Sequence, residues 1–385
     1  MATPFCALVL DDRSIALRCF YHQGLLMTWE LSDLLRAIAT TIVIGIHASH
    51  HWWFGVNDVT TITPEIFIDT IINQVGRFTV PLFVILSGFA LAKSEENRPF
   101  NLKIFIQRRL WRIVPPYFLF TLFNIVWQSQ FLTADWLERG QQFWQAISTG
   151  MGDYHLYFLG IIFQCYIVYP LLRRFNFSLQ RLIGLVLITF ALVSLRWGSA
   201  IFGWLPNMTN FLPNGDHVIY WLSYFQIGIW LAKDHGWTSL FVTNWRSPSW
   251  GYLFAIAATI ELSEFYWTAI LKNSAEAVGH YTRPTVLFLT FSFLLWSISW
   301  QNPESKSESQ SFVLSPTFGF WKAIQPLIKT FSRASFTTYL VHVWVLRAIA
   351  PLEIVGGILF IPLAASLSWL AGLILWQILQ RKALK

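Results

Sequence analysis

The sequence predicts an all-α fold: a polytopic integral membrane helix bundle of about ten transmembrane helices, with both termini in the cytoplasm. Three observations predict it. Only 12% of the 385 residues are charged and 55% are hydrophobic, whereas soluble domains carry about 25% charged residues. Apolar runs recur along the chain at the length a bilayer core requires, roughly 20 residues per helix. Lys and Arg gather in alternate connections between those runs, as the positive-inside rule demands. A transmembrane β-barrel is excluded because no period-two alternation is present.

The apolar runs fall at 34–54, 77–93, 111–131, 154–172, 182–200, 217–233, 250–269, 284–301, 335–351 and 356–380. Pro81 and the Pro115–Pro116 pair interrupt two of them, which membrane helices tolerate when neighbours re-satisfy the freed backbone. Ahead of the first run, residues 1–28 read as an N-terminal extension. Its apolar stretch is broken by Asp11, Asp12 and Arg13, so it makes a poor signal peptide. The extension is expected either to be untranslated, with initiation at Met27, or to be disordered. Residues 29–385 then form one membrane domain with no attached soluble domain, interrupted by a polar cytoplasmic linker at 301–314. That linker, which opens with "QNPESKSESQS", has too few apolar residues to fold.

Placing the N-terminus inside puts "KSEENRPFNLKIFIQRRLWR", "RRFNFSLQR", the 301–334 connection and the terminal "RKALK" on the cytoplasmic side, and with them most of the 27 Lys and Arg. The external connections carry acids instead: Asp58, Glu65, Asp69, Asp135 and Glu138. The net charge of +7 is therefore an orientation signal rather than the footprint of a nucleic-acid binder. Cys6, Cys19 and Cys165 are too few and too scattered for a disulfide framework, and no CxxC is present. No metal site is expected.

Ionisable groups inside membrane segments are costly and are functional candidates. In "LRAIATTIVIGIHASHHWW", Arg36 and His47 stand eleven residues apart, which brings them within about 20° of one helix face with a rise of roughly 16 Å. His50 and His51 follow near that face, beside Trp52 and Trp53, where they also suit an interfacial belt. The three histidines lack a clear fourth ligand for zinc. Arg109 and Arg112, at i and i+3, can both face one anionic ligand at the cytoplasmic end of the third run, or serve as ordinary positive-inside charge. Arg77 begins the second run on the external side, as an anchor or as a contact for an acidic acceptor. Tyr154 and His155 sit at the outer mouth of the fourth run. His342, about two turns inside the ninth, lines the same cavity or is satisfied within the bundle. Ser87 in "LSGF" reads as a small residue for close helix approach, since no G-x-S-x-G surrounds it. Glu261 and Glu264 could be proton sites in a transporter or simply reach water.

The opening stretch resembles the first segment of the acyltransferase family 3 integral membrane O-acyltransferases, whose signature is an arginine followed after ten residues by a histidine. Arg36 and His47 match it. "GRFTVPLFVILSGFALAKS" at 76–94 and "RRLWRIVPPYFLF" at 108–120 resemble the family's second and third segments, with its R-x-x-R on Arg109 and Arg112. "YHLYFLGIIFQCYIVYPLL" at 154–172 and "SFTTYLVHVWVL" at 335–346 resemble its fourth and late segments, although Tyr157 stands where many members carry Trp. The resemblance implies transfer of an acyl group, commonly acetyl, from cytoplasmic acyl-CoA as co-substrate to a hydroxyl of a saccharide or lipid-linked glycan. It implies acyl-CoA contacts for Arg36, Arg109 and Arg112, and a general base or acyl carrier in His47. It also implies a multi-pass protein of a bacterial inner membrane. A saccharide transporter or flippase without catalysis is the alternative, one that has no need of a clamp for CoA phosphates.

Overall fold

The computed structural model describes residues 5–11, 14–20, 27–54, 63–96, 99–127, 135–149, 153–175, 177–204, 211–233, 249–275, 279–300, 316–355 and 357–383. Ahead of the membrane domain, β1 (Phe5–Asp11) and β2 (Ser14–Phe20) pair as an antiparallel hairpin, Phe5 opposite Phe20. Everything described after it is helical or a short connection. The elements are α1 (Trp29–Phe54), α2 (Pro64–Val75), a 3-10 turn (Gly76–Phe78), α3 (Thr79–Glu95), α4 (Leu102–Trp127), α5 (Trp136–Thr149) and α6 (Tyr157–Leu172). They continue with α7 (Leu179–Phe202), α8 (Leu222–Leu231), α9 (Ser249–Lys272), α10 (Pro284–Ile298), α11 (Pro316–Ile349) and α12 (Gly357–Ala383).

Each of the ten predicted segments falls on one of these helices. Six stretches are long and apolar enough to cross a membrane: Trp29–Ser49, Pro64–Glu95, Leu102–Trp127, Leu179–Phe202, Ser249–Lys272 and Ile358–Arg381. Three further helices, α6, α8 and α10, are apolar but shorter. Large apolar side chains stand exposed on α4, α6, α7, α9 and α12, among them Trp111, Ile167, Leu187, Tyr252 and Leu359. Such a surface is costly in water and ordinary against lipid tails.

The structure corrects three boundaries. The connection expected around Glu65 and Asp69 contains a helix, α2, started by Pro64 at its first turn and by the Thr63 hydroxyl, which accepts from the Ile66 amide. Asp69 is buried there, both carboxylate oxygens without a hydrogen-bond partner. The third segment begins at Leu102 rather than at 111, so the basic stretch is helical. The ninth begins at Pro316, making α11 a 34-residue helix; its Lys322, Lys329 and Arg333 read as loop because charge outweighed helical pattern. The 301–314 linker lies outside the described residues.

One large core gathers Leu35, Val43, Leu82, Phe89, Ile161, Phe225, Leu289 and Leu340 from six helices, and Met27 is fully buried in it. A second joins α1, α11 and α12 through Ile44, Ala48, Leu346, Phe360 and Trp369. The tightest crossing is α3 on α8. There Gly88 lies on the Phe225 carbonyl and Gly228 on the Ile85 carbonyl, so a Cβ at either would collide with backbone. The close approach expected of Ser87 belongs to its neighbour Gly88, the usual device where helices meet without a hydrophobic drive.

Candidate active site

The first helix sets the axis of the site. At the start of α1, the Arg36 guanidinium stands 3.9 Å from the Asp33 carboxylate and donates to the Leu86 carbonyl of α3 at 3.4 Å. Asp33 is held in turn by the Ser332 hydroxyl of α11 at 2.6 Å. Arg112 and the Tyr166 phenol lie within electrostatic range of Arg36. Arg109 covers the Tyr166 ring at 5.4 Å and the Phe105 ring at 5.6 Å, and its buried Nε has no hydrogen-bond partner. Two of the three arginines singled out in the sequence, Arg36 and Arg109, thus meet at Tyr166, a residue the sequence did not mark, and Arg112 lies near Arg36. Arg112 is exposed and Arg36 and Arg109 are half-buried, so the cluster keeps one open side while its planar donors remain in place for an anion.

Three turns further along α1, His47 meets residues from two distant parts of the chain. Its ring lies 5.0 Å from that of Tyr154 and 5.1 Å from that of His342 on α11. His342 in turn lies 5.1 Å from His155. The sequence named all four, and the structure brings them together. The Nδ1 atom of His342 is 2.6 Å from the Tyr339 carbonyl one turn back. A carbonyl only accepts, so Nδ1 carries the proton and Nε2 presents a lone pair. That Nε2, both ring nitrogens of His155 and Oδ2 of Asp153 are buried without a hydrogen-bond partner. Buried polar atoms are otherwise almost always satisfied, and these four lie together, Asp153 3.7 Å from His155 and the His155 ring 5.1 Å from that of His342. Tyr154, against the His47 ring, is 47% exposed.

A second set of residues, unmarked in the sequence, frames the pocket. The Arg347 guanidinium, one helical turn beyond Val343, donates to Asn124 of α4 at 2.7 Å and to Asp153 at 3.0 Å. Asp153 also lies 3.7 Å from His155, and the Tyr339 hydroxyl donates to the His155 carbonyl. Burial pushes the Asp153 carboxyl above its ordinary value, and the Arg347 guanidinium pulls it partway back. An asparagine and an arginine inside apolar segments were the available signal. Among the described residues no group of three His, Cys, Asp or Glu side chains is placed to hold a metal ion. The side chains of His50 and His51 lie outside the described residues.

Arg77 is left open by the sequence between a helix-end anchor and a contact for an acidic acceptor. It is buried, and all three guanidinium nitrogens are engaged, by Gln74 at 3.1 Å, Asn73 at 2.8 Å and the Gly279 carbonyl. Its face covers the Tyr281 ring at 4.9 Å. Glu261 and Glu264 both meet Arg283, which is fully buried; Glu261 is fully buried with it, whereas the Glu264 side chain stays partly exposed.

No curated protein and no solved structure matches the chain significantly. The family model described as an acyltransferase domain, acyltransferase family 3, matches residues 30–377. That span takes in both ends of the α1 axis and every residue of the two clusters, nearly the whole chain, and the chain belongs to this family of membrane acyltransferases.

Proposed function

We propose that the chain moves an acyl group, commonly acetyl, from cytoplasmic acyl-CoA to a hydroxyl of an exported or envelope saccharide, in a bacterial inner membrane. The supporting observation is the two-ended axis of α1. One end carries Arg36 with Arg112 near it and Arg109 across Tyr166; the same face carries His47 at the other, against His342 and Tyr154. Arginine forks suit the phosphates of CoA. The separation of roughly 16 Å along the helix suits a donor whose charged end and reactive end lie far apart.

In direct transfer the acceptor oxygen attacks the thioester carbon, its proton passes to a neutral histidine nitrogen, and the carbon–sulfur bond breaks. The thiolate that leaves regains the proton from the imidazolium, so the histidine ends as it began. If His47 itself attacks first, the carbon–sulfur bond breaks as an acyl-imidazole forms and the ring proton goes to the departing thiolate; the hydroxyl oxygen then attacks the acyl carbon, the carbon–nitrogen bond breaks, and the hydroxyl proton returns to the imidazole. Both routes use the same pocket. The unsatisfied nitrogens of His155 and His342 would be met by the hydroxyls of the acceptor. The ten crossings and the cytoplasmic placement of both termini belong to this proposal, which puts the arginine cluster inside. The transporter reading draws no support from Glu261 and Glu264: a carboxylate pinned by a buried arginine is a poor cycling proton site.

The test uses purified protein in nanodiscs with acetyl-CoA alone. Wild type is expected to bind acetyl-CoA and hydrolyse it slowly; Arg109→Ala loses binding, and His47→Ala keeps binding but loses turnover. If wild type neither binds nor hydrolyses acetyl-CoA or one longer acyl-CoA, the enzyme reading is wrong in its donor.

A further inference from the structure

A chain of buried hydrogen bonds runs from an ion pair on α9 and α10 to the turn of α1 that carries His47. It begins where Arg283, the residue before α10, meets Glu261 and Glu264 of α9. Arg283 donates to Gln74 Oε1 of α2 at 2.9 Å, which also accepts from Arg77 Nε at 3.1 Å. Asn73 Oδ1 accepts from Gln74 at 2.9 Å and from Arg77 at 2.8 Å. The Asn73 amide nitrogen then donates out of the network, to the Ile46 carbonyl of α1 at 3.1 Å and to the Ser49 hydroxyl at 3.3 Å. The Ser49 hydroxyl itself donates to Ile46 at 2.9 Å. These residues bracket His47 on both sides.

Every member is buried: Asn73, Gln74, Arg77, Glu261 and Arg283 are each at most 5% exposed. Two arginines at that depth are tolerated only if paired and hydrogen-bonded: Arg77 has all three guanidinium nitrogens engaged, whereas Arg283 Nη1 and Glu261 Oε2 have no hydrogen-bond partner, so the stiff part of the network is the Gln74–Arg77–Asn73 end that meets α1. Near the end of a long helix, where backbone bonds fray, it supplies α1 with an extra donor at the one turn that matters for chemistry.

We propose that Asn73 is a positioning residue for His47, and that the Glu261–Arg283–Gln74–Arg77 network acts as the strut that aims it. Arg77 in this role never touches acceptor; it holds the oxygen of Asn73 so that the nitrogen faces α1. The proposal rests on the reading of His47 as the acyl-transfer histidine.

Asn73→Asp tests the contact, because it keeps oxygen acceptors for Arg77 and Gln74 and removes the donor to Ile46 and Ser49, while adding a charge beside Arg77. Asn73→Ser, too short to reach Ile46 and free of added charge, covers the case in which the aspartate fails to fold. Displacement of a reacting group by about 1 Å can cost about 100-fold, so acetyl-CoA hydrolysis is expected to fall by about 10- to 100-fold in either variant with acetyl-CoA binding unchanged. Hydrogen exchange of the amides at 47–50 is expected to quicken, while that at 36–40 stays as in wild type. Unchanged turnover with unchanged exchange overturns the strut, as does an equal loss of binding and turnover. If wild type itself is inert toward acyl-CoA, the proposed function fails separately, and the exchange comparison still decides whether Asn73 holds α1.

Discussion

His47 and His342 face each other with ring centroids 5.1 Å apart, one from α1 and one from α11. The two rings differ in their fixed features. His342 has its Nδ1 proton committed to the Tyr339 carbonyl and an unpartnered Nε2, so its free lone pair is on Nε2, and we propose that it assists His47 there. Removing a positioned acid–base group typically costs about 10²–10⁴-fold in rate. His342→Gln is therefore expected to lower acetyl-CoA turnover by at least about 100-fold with binding retained. The double variant with His47→Ala should be no worse than His47→Ala alone, since groups acting as one unit are not additive. Single-turnover hydrolysis measures both; additive losses would separate the two rings into independent roles.

The arginine cluster predicts a salt-dependent donor affinity. A hydrogen bond to a charged group contributes about 1.5–3 kcal/mol, so Arg109→Ala is expected to weaken acetyl-CoA binding by about 10- to 150-fold. Arg112 is exposed and is screened by ions, so Arg112→Ala should cost less and its effect should shrink between low and high salt. Calorimetric titration at two ionic strengths checks the order; a reversed order would place the phosphates elsewhere.

Asp153 predicts a pH-dependent stability. Its carboxyl is pushed above the ordinary value of 3.8 by burial, against the pull of Arg347. Folding therefore favours its protonated form, and that contribution is full below the ordinary value and lost as pH rises through the raised one. Asp153→Asn keeps an acceptor for Arg347 without the buried charge. Its melting temperature is expected to exceed wild type by about a degree or two at pH 8, with the gain vanishing in acid. A variant less stable than wild type at pH 8 would show that the Arg347 pair outweighs burial.

The crossing of α3 on α8 predicts a sharp intolerance. With carbonyls directly over Gly88 and Gly228, the helices must separate to admit a methyl group, and overpacking of this kind costs about 1–3 kcal/mol. Gly228→Ala is expected to lower the melting temperature by about 2–10 degrees. Gly160→Ala, with nothing within 4 Å of the new atom, serves as the neutral comparison in the same thermal scan.

Much of the site was legible in the sequence because helical geometry is local. The spacing of Arg36 and His47 fixes their common face, and α1 carries both. Tyr154 and His155 were recognisable as polar groups at the outer mouth of one segment, and His342 as a histidine about two turns inside another. What the sequence did not disclose depends on distant contact. Arg77 read as a candidate for substrate because its partners, Asn73 and Gln74, lay in a stretch whose Glu65 and Asp69 imitate a loop, and because Gly279 comes from far along the chain. Asn124, Asp153 and Arg347 are each unremarkable alone; only the meeting of α4, α11 and the turn before α6 makes them a frame.

The two levels at which α1 touches α11 carry a further consequence. Asp33 meets Ser332 at one level, and His47 meets His342 at the other, so the two helices run in the same direction. Parallel neighbours in a membrane must be separated by an odd number of crossings. With α11 as a crossing, as the proposed topology has it, a reporter placed before Trp29 and another placed just before Pro316 are expected to label the same face of the membrane, whatever the count of helices in between.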